Sequence, residues 1–276
     1  NNPVRFLSVA NDNTLCFSYD GEIYIKKPND NQPHKVIINI KPNDKDIDEI
    51  RQNFSSGATE MALSPNNKEI AFIKKGNIFV TSIEYQTTKQ ITNTPEQEKF
   101  VSFAPDGRTL IYASERNGKW NIYKSYIVRN DEPYFYNSTL LKEETIISNN
   151  FDNFQPLLSP DGNEIAYLEN KTTLNIFNIK TKKIRTVLNG NYNYSYADGD
   201  QWFQWSPDSK WLLVKYLGYK RWSTDIALIS TQPNGIITNL TKSGYSDFMP
   251  KWALNGNAMI WISDRLRLMG SKTMLI

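Results

Sequence analysis

A ten-residue phrase recurs along this chain, and no other feature restricts its fold as much. FAPDGRTLIY from Phe103 has counterparts in LSPNNKEIAF from Leu63, LSPDGNEIAY from Leu158, WSPDSKWLLV from Trp205 and WALNGNAMIW from Trp252, with a weaker VANDNTLCF from Val9. With the proline position of each turn as anchor, the series is Ala10, Pro65, Pro105, Pro160, Pro207 and Leu254, at intervals of 55, 40, 55, 47 and 47 residues. Repeats of such a period mark architectures in which one supersecondary unit stacks against copies of itself.

Each unit has the same internal grammar. Proline presets the first dihedral of the turn, and Asp or Asn with Gly tolerates the positive φ of a tight hairpin. An apolar run precedes the turn (VSFA, PLLS, WFQWS) and another follows it (TLIYA, EIAYL, WLLVKY). A third strand comes next (EIYI, NIFVTS, NIYKSY, LNIFNI, DIALIS), then a more polar fourth (KQITNT, KIRTVL, IITNLT). Four antiparallel strands in such a length describe a propeller blade. The expectation is an all-β, six-bladed β-propeller in one domain, 1–276, with blades near 1–42, 57–94, 98–149, 153–190, 200–243 and 247–276.

Only Ile47 to Phe54 (IDEIRQNF) offers a short helical pattern. Insertions are expected between Lys41 and Gly57, and at Arg129 to Glu144 between the third and fourth strands of the third blade. In the last unit GSKTMLI alone could supply a third strand. The outer strand of that blade is expected from residues outside this sequence, as in a fragment of a larger multidomain protein.

Composition narrows the function classes. Aromatics are 13% and hydrophobics 39%, a globular, strand-rich composition, and the net charge is +3, from 32 basic and 29 acidic residues. That balance does not provide the basic stripe of a nucleic-acid binder. No run approaches the ~18 apolar residues of a membrane span. A lone Cys16 at the end of an apolar strand pattern reads as a buried thiol.

Chemistry is sparse. The single histidine, His34 in QPHKV, lies in a polar stretch, and no G-x-S-x-G turn accompanies it, so a Ser-His-Asp triad has no nucleophile here. One His and one Cys cannot close a zinc site. Asp198 and Asp200 in ADGD lack the other ligands of a calcium loop. No cofactor is implied.

Two features remain. Seven residues before the anchors stand Glu98, Asn153, Asp200 and Asp247, while the first two blades have Pro3 and Ala58 there. These positions enter the innermost strand at the end of the unit opposite the S-P-D-G turns, called the top below. They read either as a partly acidic collar that attracts basic groups or as acceptors within the turns joining blades. Glu115-Arg116 and Asp264-Arg265, also at the top, read as inter-blade ion pairs. The second feature is aromatic. NYNYSYADGDQWF joins the fourth and fifth blades at the top, and YLGYKRW projects beside it. Tyr192, Tyr194, Tyr196, Tyr219, Arg221 and Trp222, with Asp200 and Asp247, form a candidate binding face of residue types that dominate interfaces. Packing of some of these rings under the loop is the alternative.

The turns followed by I-A-Y or L-I-Y, then S-D-R or S-E-R, resemble the TolB-like propeller repeat. Longer stretches, among them SSGATEMALSPNNKEIAF, DEPYFYNSTLLKEE, NYNYSYADGDQWFQWSPDSKWLLV and SGYSDFMPKW, are similar to the N-terminal propeller of tricorn-like serine peptidases over about Ser55 to Arg265. The likeness fails at RLRLMGSKTMLI. It implies a non-catalytic propeller that binds or filters peptide substrates or scaffolds a peptidase core. PDZ and peptidase domains would follow in the same polypeptide, in a periplasmic or envelope setting, and homo-oligomers could form through the parent enzyme. A TolB-like protein-interaction scaffold and the propeller cap of a prolyl-oligopeptidase-like enzyme are the alternatives.

Overall fold

The computed structural model describes residues 3–38, 56–218, 223–233 and 235–265, and the backbone of 273–275. The chain divides into two compact units, Asn1–Phe54 and Ser55–Ile276. The helical pattern at 47–54 lies outside the described residues, as does most of the first insertion.

The smaller unit holds one antiparallel sheet: β1 (Arg5–Val9), β2 (Leu15–Tyr19), β3 (Glu22–Lys26) and β4 (His34–Lys35), in that order. Asp20 and Gly21 join β2 to β3 with φ of 52° and 79°, the positive pair that a two-residue hairpin needs. Phe17 stacks on its cross-strand partner Tyr24 with centroids 5.9 Å apart. Cys16 is half-buried, not enclosed as the apolar pattern suggested. His34 opens β4 with an exposed side chain, 3.5 Å from Asp30.

The larger unit contains five sheets in chain order. The second blade has β5 (Ala58–Leu63), β6 (Glu69–Lys74), β7 (Asn77–Ser82) and β8 (Thr88–Gln90); the third has β9 (Glu98–Phe103), β10 (Thr109–Arg116), β11 (Lys119–Ile127) and β12 (Leu141–Ile147). The fourth has β13 (Asn153–Leu158), β14 (Glu164–Glu169), β15 (Thr173–Asn178) and β16 (Ile184–Leu188). The fifth has β17 (Phe203–Trp205), β18 (Trp211–Tyr216), β19 (Asp225–Ser230) and β20 (Ile237–Asn239), and the sixth β21 (Asp247–Ala253), β22 (Ala258–Ser263) and β23 (Thr273–Leu275). Each sheet pairs its strands antiparallel in sequence order.

Side-chain chemistry explains why the S-P-D-G phrase repeats. In three blades the serine hydroxyl donates to the Asx side chain two residues on: Ser64 to Asn66 (2.8 Å), Ser159 to Asp161 (2.5 Å) and Ser206 to Asp208 (2.5 Å). The same oxygen accepts the N–H five residues ahead, from Glu69, Glu164 and Trp211. The Asx oxygen meanwhile caps the N–H of Lys68, Asn163 or Lys210. The serine hydroxyl and the Asx oxygen thus satisfy each other and two N–H groups where the return strand begins. The third blade has Ala104 in place of serine, and Asp106 alone accepts the N–H groups of Arg108 and Thr109 and the Thr109 hydroxyl.

The core lies between sheets, and period-two alternation builds it. On β10, Leu110 and Tyr112 face the second blade's Ala71 and Val80, whereas Ile111 faces the fourth blade's Ile165 and Tyr167. Ala113 joins Ala166 and Leu168, and that cluster continues through Trp205, Leu212 and Val214 of the fifth blade. A middle blade therefore buries both faces of its sheet, and each fully enclosed aliphatic contributes about 1.5–3 kcal/mol. The insertion in the third blade closes one such interface: Phe135, in a short 3₁₀ turn (Phe135–Asn137), is wholly buried in the cluster between the second and third blades.

Inner strands carry a device that alternation does not announce. Phe100, Gln155 and Met249 have φ of 60°, 49° and 54°, and the register of β9, β13 and β21 shifts at these residues. Such bulges re-aim side chains along the strand. The Phe100 N–H donates to Glu60 of the second blade (2.5 Å), and the Gln155 amide donates to the Gln201 carbonyl of the next linker (2.8 Å).

Candidate functional site

The repeated position seven residues before each anchor is occupied by enclosed side chains in three blades. Glu98, Asn153 and Asp247 begin β9, β13 and β21 and are 1%, 0% and 0% exposed. These groups are enclosed and do not form an open acidic collar. Glu98 accepts hydrogen bonds from the hydroxyls of Thr92 (3.0 Å), Thr94 (2.8 Å) and Ser114 (3.1 Å). Burial raises its carboxyl above the ordinary range, against the pull of these donors and of Arg116. Asn153 donates to Asn149 and to the carbonyls of Phe151 and Trp120.

The arrangement is built twice. Ile78 N–H donates to Thr92 and Ile226 N–H to Thr241; Thr94 N–H donates to Asn77 and Ser243 N–H to Asp225. Ser243 donates to Asp247 (2.7 Å) as Thr94 does to Glu98. These clusters tie the third strand of one blade to the first strand of the next. They are a joint, not a mouth.

Arg116 corrects the second sequence reading. Its guanidinium binds both Glu143 oxygens and lies 4.1 Å over Tyr123. Glu143 and Tyr123 belong to its own blade, on β12 and β11, so the pair is internal. Arg265 lies 5.8 Å from the Tyr245 ring, and Asp264 accepts the Ser246 N–H.

The linker between the fourth and fifth blades holds the candidate binding residues. Tyr192, Tyr194 and Tyr196 are 41%, 47% and 81% exposed. Tyr194 and Tyr196 meet edge to face at 4.5 Å, and Tyr192 tilts against Tyr216 at 6.5 Å. Asp200 is half-buried and shapes the loop, accepting the N–H of Tyr196 (2.6 Å) and Ala197 (3.3 Å) and the Gln201 amide (2.9 Å). Tyr219, Arg221 and Trp222 lie outside the described residues. Asp247 is buried in its joint and does not reach this surface.

Sequence reasoning did not find the groups on which the loop rests. Asp198 bridges Lys99 of β9 (2.8 Å) and Lys171 of the β14–β15 turn (2.6 Å). Lys99 stands 5.1 Å over Trp120 and Lys171 5.4 Å over Phe154, and these two rings lie 5.6 Å apart. Phe100 meets Phe154 edge on at 6.3 Å. The two lysines hold the Asp198 carboxyl below its usual range. Beside the loop, Lys215 donates to the Asp200 carbonyl (2.8 Å) and stands 4.6 Å over Trp202; burial pulls its ammonium down. The top of blades three to five is thus an aromatic shelf with lysines standing on it.

The opposite end has a cavity of about 380 Å³ between the third and fourth blades, with Ile111, Ile146, Leu158 and Ile179 in its walls and Asp106, Asp161, Lys124 and Lys182 among its polar groups. Asp106 and Asp161 are engaged by their own turns, and Lys124 pairs with Glu144 at 2.9 Å. Among the described residues no group of three or more His, Cys, Asp or Glu could hold a metal ion, and no helix is long and apolar enough to cross a membrane.

No family model matches the sequence. No curated protein matches it either. Solved structures share the fold at low identity. The crystal structure of the tricorn protease matches over 96% of this chain and 24% of its own, with TM-score 0.53 and 14% identity. TolB from Acinetobacter baumannii matches over 87% of this chain and 53% of its own, with TM-score 0.53 and 14% identity. The Cps50 (Swd1) β-propeller domain of Myceliophteria thermophila matches over 100% and 86%, with TM-score 0.51 and 11% identity. The chain thus spans about a quarter of the tricorn protease and about half of TolB. The fold is a β-propeller of the kind found in these proteins.

Proposed function

We propose that this chain, 1–276, is the non-catalytic propeller of a larger tricorn-like serine peptidase, binding or filtering peptides on its top face and scaffolding a peptidase core. PDZ and peptidase domains of the same polypeptide, a periplasmic or envelope location, and homo-oligomers formed through the parent belong to this reading. One observation carries it: an exposed tyrosine loop seated on lysines and aromatic rings at the top of blades three to five. Tyrosines contribute large, rigid contact area at low entropic cost, and so suit a surface that meets varied peptides. The sequence likeness to tricorn-like propellers supports the peptidase context, and the fold likeness agrees with it.

A TolB-like scaffold that recruits folded envelope proteins would use the same face. The two readings separate experimentally. The full chain is incubated with a defined peptide mixture, and bound species are recovered and identified by mass spectrometry. Recovery of intact peptides, reduced by Tyr194→Ala with Tyr196→Ala, supports the peptidase-propeller reading. Peptide hydrolysis by the chain that a serine-directed inhibitor abolishes would overturn the non-catalytic role. Failure to retain any peptide would leave the scaffold reading in its place.

A further inference from the structure

The loop 191–201 is fastened at its base by Gln201, Gln155 and Lys215, and at its tip by Asp198. Gln201 donates to the Tyr194 carbonyl (2.7 Å), and Gln155 donates to the Gln201 carbonyl (2.8 Å). At the tip Asp198 reaches across to other blades, through Lys99 and Lys171. Gly199 allows this descent. Its φ is +85°, and a Cβ there would stand 3.2 Å from Phe100 Cε1.

Beneath Asp198 lie two ammonium groups on one aromatic floor of Trp120, Phe154 and Phe100. Cations held over rings keep donors free for an anion. Such a pair of ammonium groups recognises a carboxylate, and the bridging side chain of Asp198 marks where that carboxylate sits.

We propose that Lys99 and Lys171 form a carboxylate subsite that the chain fills with its own Asp198, and that an acidic side chain of a bound peptide takes that place. This rests on the peptide-binding reading above and narrows it to acidic segments. The loop is then an intramolecular competitor. Removing its charge increases the fraction of molecules competent to bind, and apparent affinity rises in proportion.

The test titrates the full chain with an N-acetylated, C-amidated peptide carrying Asp next to Phe, and with its Asn counterpart. The only carboxylate in the probes is then the Asp side chain. Asp198→Asn is expected to tighten the Asp peptide by roughly tenfold and leave the Asn peptide unchanged. Adding Lys99→Gln and Lys171→Gln should erase that gain. Gly199→Ala, which lifts the loop while keeping Asp198, should act in the same direction and serves if Asp198→Asn fails to fold. If wild type binds both peptides and neither loop variant alters the preference between them, the subsite is wrong while peptide binding stands. If wild type binds neither but Asp198→Asn selects the Asp peptide, the subsite stands and the general peptide-filter reading falls. Binding by no form of the chain overturns both.

Discussion

The Glu98 carboxylate accepts a 3.1 Å hydrogen bond from the hydroxyl of Ser114, its partner across the first hairpin of the third blade, and both side chains are buried. Asp247 and Ser263 occupy the same register in the sixth blade and are equally buried. There Asp247 Oδ1 and Ser263 Oγ have no hydrogen-bond partner among the described residues. Asp is one methylene shorter than Glu, and the second joint is correspondingly incomplete.

Glu98→Ala should destabilise the larger unit by about 2–4 kcal/mol, because it strands the buried hydroxyls of Thr92 and Ser114 together with the half-buried one of Thr94. A urea midpoint shifted by less than about 0.5 kcal/mol equivalent would remove the joint from the account. The carboxyl is raised in the folded state, so its share of stability is greatest below the unfolded pKa. That share is lost as pH rises through the folded value. Glu98→Gln should therefore flatten this part of the pH profile above the ordinary carboxylate range.

Asp247→Glu should complete the second joint. The added methylene brings the carboxylate toward Ser263, and a gained hydrogen bond contributes about 0.5–1.5 kcal/mol. A lower melting temperature than wild type would mean that the site has no room for it.

Ser206→Ala removes the acceptor of the Trp211 N–H and the donor to Asp208. The expected cost is about 1–2 kcal/mol, comparable with losing a helix cap. The third blade, where Asp106 replaces the missing serine's bonds, shows how the loss can be softened. Calorimetric unfolding of the variant checks the figure.

Gly199→Ala should open the loop without unfolding the blades. Proteolysis between Tyr192 and Gln201 is expected to quicken several-fold while the main thermal transition moves little, since the strain falls on φ +85° and on Phe100 alone. A large drop in the main transition instead would show that the loop is part of the core.

Acid should release the same loop only at low pH. Lys171 and Lys99 hold the Asp198 carboxyl below its ordinary value, with Asp152 and Asp200 also acting on Lys171. A depressed folded pKa keeps the contact intact above the unfolded value and loses it as pH falls through the folded one. Protease sensitivity of residues 191–201 should stay flat down to the ordinary aspartate range and rise only below it. A rise near neutral pH would contradict the lysine bridge.

Much of this was legible in the sequence, for identifiable reasons. The turns at Pro65, Pro105, Pro160 and Pro207 carry their own hydrogen-bond partners within five residues, so local chemistry exposes them. Counting from Pro105, Pro160 and the corresponding Leu254 located Glu98, Asn153 and Asp247. It could not tell an open collar from a joint, because their partners Thr92, Thr94 and Ser243 lie in linkers whose folding back is tertiary. The exposure of Tyr192, Tyr194 and Tyr196 was left open by the sequence, because whether a ring packs under its own loop is decided by tertiary contacts. The floor beneath was hidden: Lys99, Trp120, Phe154, Lys171 and Asp198 come from separate blades and linkers, and each alone is an ordinary residue. The bulge at Phe100 was hidden as well, although K-F-V-S-F departs from strict alternation at that residue.

Hydrogen–deuterium exchange on the full chain, with and without a saturating peptide mixture, tests the central claim most directly. The account predicts protection at Tyr192 to Gln201 and at the starts of β9 and β13, with the S-P-D-G turns at the opposite end unchanged. Protection confined to that opposite end, or none anywhere, would contradict a top-face binding role.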